Sequence, residues 1–172
     1  MDGVLVARAA KRAYYGVPDA GGSGDPVFHR MQGFTDLATS KNAKEYNRQS
    51  VDESFEQTDI TGYSPSKSYG FDQYKGNAVH DDIVKITDDE LIGNDAIRQI
   101  VIVDFSHPGT NANTYAAIKR PFAVIPDSEG GSLDAYTYSG NFKVKGSKEE
   151  GFAVVDDTTS TCTFTAGVET TA

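Results

Sequence analysis

Carboxylates are the groups in this sequence whose number and spacing could do chemistry. Asp127, Glu129 and Asp134 flank a Gly-Gly turn. Brought together they would form a general acid/base pair or a cation site, although turn chemistry accounts for the same residues without either. Asp88-Asp89-Glu90 with Asp95 offers oxygens to a Ca²⁺ ion but lacks the alternating ligands and central glycine of an EF-hand loop, and a solvated helix start explains it as well. His29, His80 and His107 are scattered, with no HExxH and no paired spacing, so they read as surface or core polar residues. A single cysteine, Cys162, excludes an internal disulfide and any Cys-based zinc site. Its setting, Thr161-Cys162-Thr163-Phe164, reads as a strand carrying a small, buried or half-buried side chain. Ser139 precedes Gly140, but Thr137 stands where a nucleophile elbow needs its first glycine. Gly22-Ser-Gly24 lacks the rest of a dinucleotide fingerprint, and there is no P-loop. No motif specifies a reaction. The expectation is a protein that is not an enzyme, with no catalytic residues, no metal and no cofactor.

The elements that would position these residues are mostly strands. Ala135–Lys145 alternates: Tyr136, Tyr138, Phe142 and Val144 fall on one face, and Thr137, Ser139, Asn141, Lys143 and Lys145 on the other. Period two over that length predicts a strand with one buried and one wet face, typical of antiparallel sheets. Lys143 and Lys145, with Lys148 beyond, form either a solvated face or an interfacial salt-bridge ladder. Ile97–Phe105 holds four consecutive β-branched residues, Ile100 to Val103, and predicts a central strand covered on both sides. Tyr115–Ile125 is a further strand that Pro121 should interrupt with an edge or bulge. The Asp127–Ser132 turn makes it a hairpin with the strand that follows. Phe28–Thr35, Ser66–Tyr74 and Ser160–Thr165 are shorter candidates.

One segment changes period. Val79, Ile83 and Ile86 lie at i, i+4 and i+7, which predicts a helix from Asn77 to Ile86 with Asn77 as N-cap. Thr87 and Glu90 have capping-box spacing, so one further turn ending at Gly93 is expected. Gly16–Pro26 reads as a flexible loop. Lys41–Gly62 holds few apolar residues (Tyr46, Val51, Phe55 and Ile60 are the main ones) and is either an unusually long loop or a hairpin that projects towards another subunit. The end, 166–172, is expected to fray. Tyr14, Tyr15 and Tyr63 are candidates for exposed rings, without a stacking array.

The chain has 172 residues and a mass of 18.5 kDa, which suits one domain over 1–172. No apolar run approaches the ~20 residues of a membrane span, and the basic residues of the N-terminus follow its apolar patch, the reverse of a secretory signal. The net charge is −9: residues 1–86 carry 12 acidic and 10 basic side chains, the remainder 13 and 6. Such a chain repels a phosphate backbone, so it should not grip nucleic acid, though it could surround DNA without holding it.

Several segments taken together resemble the major tail, or tail tube, proteins of long-tailed bacteriophages and prophages of Gram-positive bacteria. They are Arg30-Met-Gln-Gly-Phe-Thr-Asp-Leu-Ala-Thr-Ser-Lys-Asn-Ala-Lys-Glu-Tyr-Asn-Arg-Gln-Ser-Val-Asp-Glu53, Asp59-Ile-Thr-Gly-Tyr-Ser-Pro65, Tyr69-Gly-Phe-Asp-Gln-Tyr74, Asn77-Ala-Val-His-Asp-Asp-Ile-Val84 and Asp134-Ala-Tyr-Thr-Tyr-Ser-Gly-Asn-Phe-Lys-Val-Lys-Gly146. The likeness covers roughly residues 10 to 165 and rests on the order of motifs, none of which is catalytic.

The resemblance implies a mainly β fold: an antiparallel β-sandwich or half-barrel with one short flanking α-helix and a long projecting hairpin. It implies hexameric rings of this chain, stacked into a hollow tube around a tape-measure protein, assembled in the bacterial cytoplasm and carried in the virion tail. Tail terminator and tail-tip or baseplate proteins are the further partners, and DNA passes through without specific binding. The candidate inter-subunit or inter-ring contacts are Glu45, Tyr46, Arg48, Asp52, Glu53, Phe55, Glu56 and Asp59. The candidate sheet-edge or lumen-face positions are Thr137, Ser139, Asn141, Lys143 and Lys145. The alternatives are the inner tube of a contractile tail or phage-tail-like bacteriocin and, from another class, a monomeric β-sandwich that binds glycans.

Overall fold

A computed structural model describes residues 3–21 and 24–169. Six antiparallel strands close on themselves: β1 (Lys11–Val17), β2 (Val27–Arg30), β8 (Ile97–Pro108), β9 (Thr114–Glu129), β11 (Glu149–Asp156) and β12 (Thr161–Ala166). The order is β11-β12-β2-β1-β8-β9, and β9 pairs back onto β11. Closure of this kind removes sheet edges, which a half-barrel leaves open.

The 16-residue β9 makes a second structure possible. Its first part pairs with β11, with Thr114 opposite Val154 and Lys119 opposite Glu149. From Phe122 onward it pairs instead with β10 (Thr137–Val144), while β8 runs along its other side from Tyr115 to Ala123. Pro121 sits where β9 changes partner, so its missing N–H costs no ladder bond there, and its carbonyl accepts from the Lys145 amide at 3.0 Å. Beyond β10 the sheet continues through β7 (Ser66–Asp72) to β3 (Phe34–Asp36), with β4 (Thr39–Ser40) also paired to β7. Gly140 in β10 is set by close approach: a Cβ there would meet the Tyr69 hydroxyl at 2.6 Å and the Ile125 carbonyl oxygen.

Two cores follow from this layout, one on each face of β8. Val101 and Val103 point into the barrel with Tyr14, Ala117, Ala153, Val155 and Cys162. Ile100 joins Tyr15, Tyr69, Phe71, Phe122, Val124 and Phe142 on the other face. The run of β-branched residues is thus covered on both sides, as its composition predicts. The helix α1 (Ala78–Asp88) lies over this second face, burying Val79, Ile83 and Ile86. Asn77 caps it, its side-chain oxygen accepting from the amides of Val79 at 3.1 Å and His80 at 3.3 Å. His80 is a buried core histidine packed on Phe71, with ring centroids 4.2 Å apart.

Several expectations need correction. Tyr14 and Tyr15 are fully buried, because β1 is a central strand whose successive side chains enter opposite cores. No second capped turn starts at Thr87; the helix runs through it, and its hydroxyl donates to the Ile83 carbonyl at 2.8 Å. The expected strand 28–35 is two strands, broken where Gly33 takes φ +74°. The turn expected at 127–132 begins later, since β9 extends to Glu129. Of the end expected to fray, Glu169 accepts from the amides of Thr110 at 2.7 Å and Asn111 at 2.8 Å, and 170–172 lie outside the described residues.

Candidate assembly surfaces

The segment 41–62 is a hairpin. β5 (Ala43–Arg48) pairs with β6 (Gln57–Tyr63) and, among the described residues, with no other strand. Its base is fixed to the body by Asn42, which takes φ 48° and whose side-chain amide donates to the Ser64 carbonyl at 3.0 Å and the Ser66 hydroxyl at 3.1 Å. Every residue of β5 is exposed, and Tyr46, Val51, Phe55, Ile60 and Tyr63 are each more than half exposed. Register puts Glu45 beside Ile60 on one face and Tyr46 beside Asp59 on the other, so neither face is covered by the subunit's own core. A lone two-stranded hairpin is marginal in water. This one has modest internal support: Arg48 lies 3.8 Å from Asp59, and the Gln57 side chain donates to both Glu53 oxygens at 3.1 Å. All eight sequence-predicted contact residues, Glu45, Tyr46, Arg48, Asp52, Glu53, Phe55, Glu56 and Asp59, lie in this hairpin, and only Glu53 among them is half-buried.

The second predicted set sits differently. Thr137, Ser139, Asn141 and Lys143 line the face of β10 opposite Tyr138 and Phe142, and Lys145 follows the strand. Within the subunit β10 is an interior strand between β9 and β7, so these positions occupy an outward face and not an edge.

Two open clefts carry opposite charge. One, about 720 Å³, is bounded by the segment 8–13 and the segment 30–38, and includes Arg8, Lys11, Arg12 and Arg30 with Met31, Phe34 and Leu37; its one acidic residue, Asp36, accepts from the Ala38 amide at 3.1 Å. Arg8 donates to the Lys11 carbonyl at 2.9 Å and the Leu37 carbonyl at 3.3 Å, closing one side of it. The other, about 740 Å³, lies at the far end of β10 and the helix C-terminus, and includes Asp88, Glu90, Asp127 and Glu129 with Tyr136 and Tyr138. Asp127 and Glu129 are therefore brought near Asp88 and Glu90, whereas Asp134 does not line this cleft. Among the described residues no three His, Cys, Asp or Glu side chains converge as metal ligands would.

Near the basic cleft, Lys67 is held at low pKa. Burial, then Arg8 and Lys41, push its ammonium down to about 8, and its Nζ donates to the Thr39 hydroxyl at 2.5 Å. In the unfolded chain this ammonium keeps its proton up to about 10.5, so below pH 8 the fold carries a penalty that is released as pH rises from 8 to 10.5. We expect the melting temperature of the native protein to rise relative to that of Lys67→Met across that window in paired thermal melts. Parallel curves would contradict the assignment.

A Ser/His/Asp grouping absent from the sequence reading sits at the end of β8. Asp104 accepts from the Ser106 hydroxyl at 2.5 Å, and His107 Nδ1 lies 3.1 Å from both Ser106 Oγ and Asp104 Oδ2. A nucleophilic triad places serine and carboxylate on opposite ring nitrogens. Here both meet Nδ1, so the arrangement lacks triad geometry and braces the irregular stretch of β8 between Asp104 and Pro108. The Ser106 hydroxyl, more than any other group, holds the Asp104 carboxyl down to about 2.

Sequence reasoning also missed the ion pair that seats the helix. Arg98 of β8 donates from Nε to Asp82 Oδ2 at 2.8 Å and from Nη2 to Oδ1 at 3.1 Å, and the Tyr15 hydroxyl donates to Oδ2 at 2.6 Å. The two charged side chains are only 10% and 9% exposed. No sequence signal links residues so far apart, beyond the presence of an acid on the helix's inner flank.

A closed antiparallel barrel continued on one side by a helix-covered sheet is the class this chain belongs to. No protein family matches the sequence, and no curated protein is similar to it. Among solved structures it is similar to a chain from the tail of an empty gene transfer agent particle, determined by helical refinement with C6 symmetry. The TM-score is 0.58 at 15% identity, over 84% of this chain and 97% of that one. It is also similar to a chain from the virion of a native gene transfer agent particle, with a TM-score of 0.57 at 12% identity over 85% and 98%. Identities this low establish a shared fold.

Proposed function

We propose that this chain is the subunit of a phage-type tail tube: a structural virion protein that forms hexameric rings and stacks them into a hollow conduit for DNA. The observation that carries this reading is the β5–β6 hairpin, a fixed arm with apolar side chains exposed on both faces and no further strand partner among the described residues. The shared fold with a chain from a C6-symmetric tail supports it. A head-to-tail interface whose rotation closes makes a ring, and contacts off the ring plane stack one ring on the next. The hairpin supplies the second kind of contact.

The interior of the tube would then take the surplus of carboxylates carried by the second half of the chain. An acidic wall has no phosphate contact to break as DNA moves past. Thr137, Ser139, Asn141, Lys143 and Lys145, on and just beyond the outward face of β10, are our candidates for lumen-face positions, and the carboxylates of that wall would come from elsewhere in the second half. A tape-measure protein fills the lumen before ejection, and terminator and tip proteins close the ends.

Sedimentation velocity of the purified protein over a rising concentration series tests the reading. We expect large species that grow with concentration. A single boundary near the mass of one chain throughout, with a tail initiator complex added as well, would overturn it.

A further inference from the structure

We infer that the tip of the hairpin docks into the basic cleft of a second copy of this chain. This rests on the tube reading and adds the receptor for its arm. The tip, 49–56, carries Asp52, Glu53 and Glu56 and no basic residue, together with Val51, fully exposed, and Phe55, 65% exposed. The cleft offers the complement. Arg8 and Arg30 have no carboxylate within 4.0 Å among the described residues, and Met31, Phe34 and Leu37 contribute apolar surface. Acidic and apolar side chains thus stand together on the tip, and basic and apolar ones meet in the cleft, the pairing that sets register and suppresses wrong partners.

The chain's own tip is not the occupant. None of residues 49–56 lines the cleft, Val51 and Phe55 stay exposed, and the six residues of β5 hold the tip roughly 20 Å from the arm's base. On the tube reading the copy that receives a tip is not the copy that gives one, so the contact is heterologous and repeats along the stack. Lys67 and Lys41, beside Arg8, extend the positive surface and have no carboxylate partner among the described residues.

The test uses two full-length variants. One reverses the tip, Asp52→Lys with Glu56→Lys. The other reverses the cleft, Arg8→Glu with Arg30→Glu. Like charges now face each other in each variant alone, and the assembled fraction in a pelleting assay should fall roughly tenfold or more. An equimolar mixture restores assembly, because each variant carries both the tip and the cleft that complement the other's. Restoration also shows that both variants are folded. Variants that assemble as well as the native chain, or a mixture that stays dispersed, would overturn the tip-to-cleft contact. A native chain that fails to assemble would overturn the tube reading beneath it.

Discussion

Asp82→Ala should lower folding stability by about 3–5 kcal/mol, the cost of leaving a buried charge without its partner. For a chain of this length that is a fall in melting temperature of roughly 6–20 °C, readable by circular dichroism. The Arg98 guanidinium is left only 10% exposed with no carboxylate, and the Tyr15 hydroxyl loses its acceptor at the same time. The pair does not owe its effect to net attraction, since desolvating two ions offsets most of it. Replacing both partners by apolar residues, Asp82→Leu with Arg98→Met, should therefore recover much of the loss. A single variant that melts within about 2 °C of the native protein, against the ~2–4 °C expected per kcal/mol, would contradict this account of how α1 is seated on β8.

Excising the arm should do the opposite: leave stability alone and abolish assembly. Asn42 and Ser64 are already joined, the Ser64 amide donating to the Asn42 carbonyl at 3.2 Å, so a short Gly-Ser link can replace Ala43–Tyr63 without stretching the base. The arm belongs to neither core and pairs only with itself. Its removal exposes no buried apolar surface, and the melting temperature should stay within a few degrees. Assembly should fall below detection in the sedimentation series. Excised protein that still forms rings and tubes would show that stacking relies on other surfaces.

Local periodicity carried the elements that bury one clear stripe. Val79, Ile83 and Ile86 specify α1, and Asn77 specifies its start. Ile100 to Val103 announce a strand covered on both faces, and Tyr138 and Phe142 a half-buried one. The strands that went unread are those whose pattern is short or mixed. Arg12-Ala-Tyr-Tyr15 shows no alternation because both tyrosines are buried in different cores. Glu149–Asp156 hides Ala153 and Val155 among residues of every type. Closure of the barrel was illegible because it depends on β9 being long enough to serve two partners, a pairing across distant sequence. The projecting hairpin was legible from what it lacked, a run of about twenty residues with too few apolar side chains to pack. The basic cleft was not, because 8–13 and 30–38 meet only once β1 and β2 pair.

Electron microscopy of the concentrated native protein reaches the central claim most directly. The account predicts six-fold rings stacked at a regular repeat, with density from each subunit's arm crossing to the next ring and ending between the segments 8–13 and 30–38. A field of separate particles the size of one chain, or stacked rings whose arms point into solvent, would contradict it.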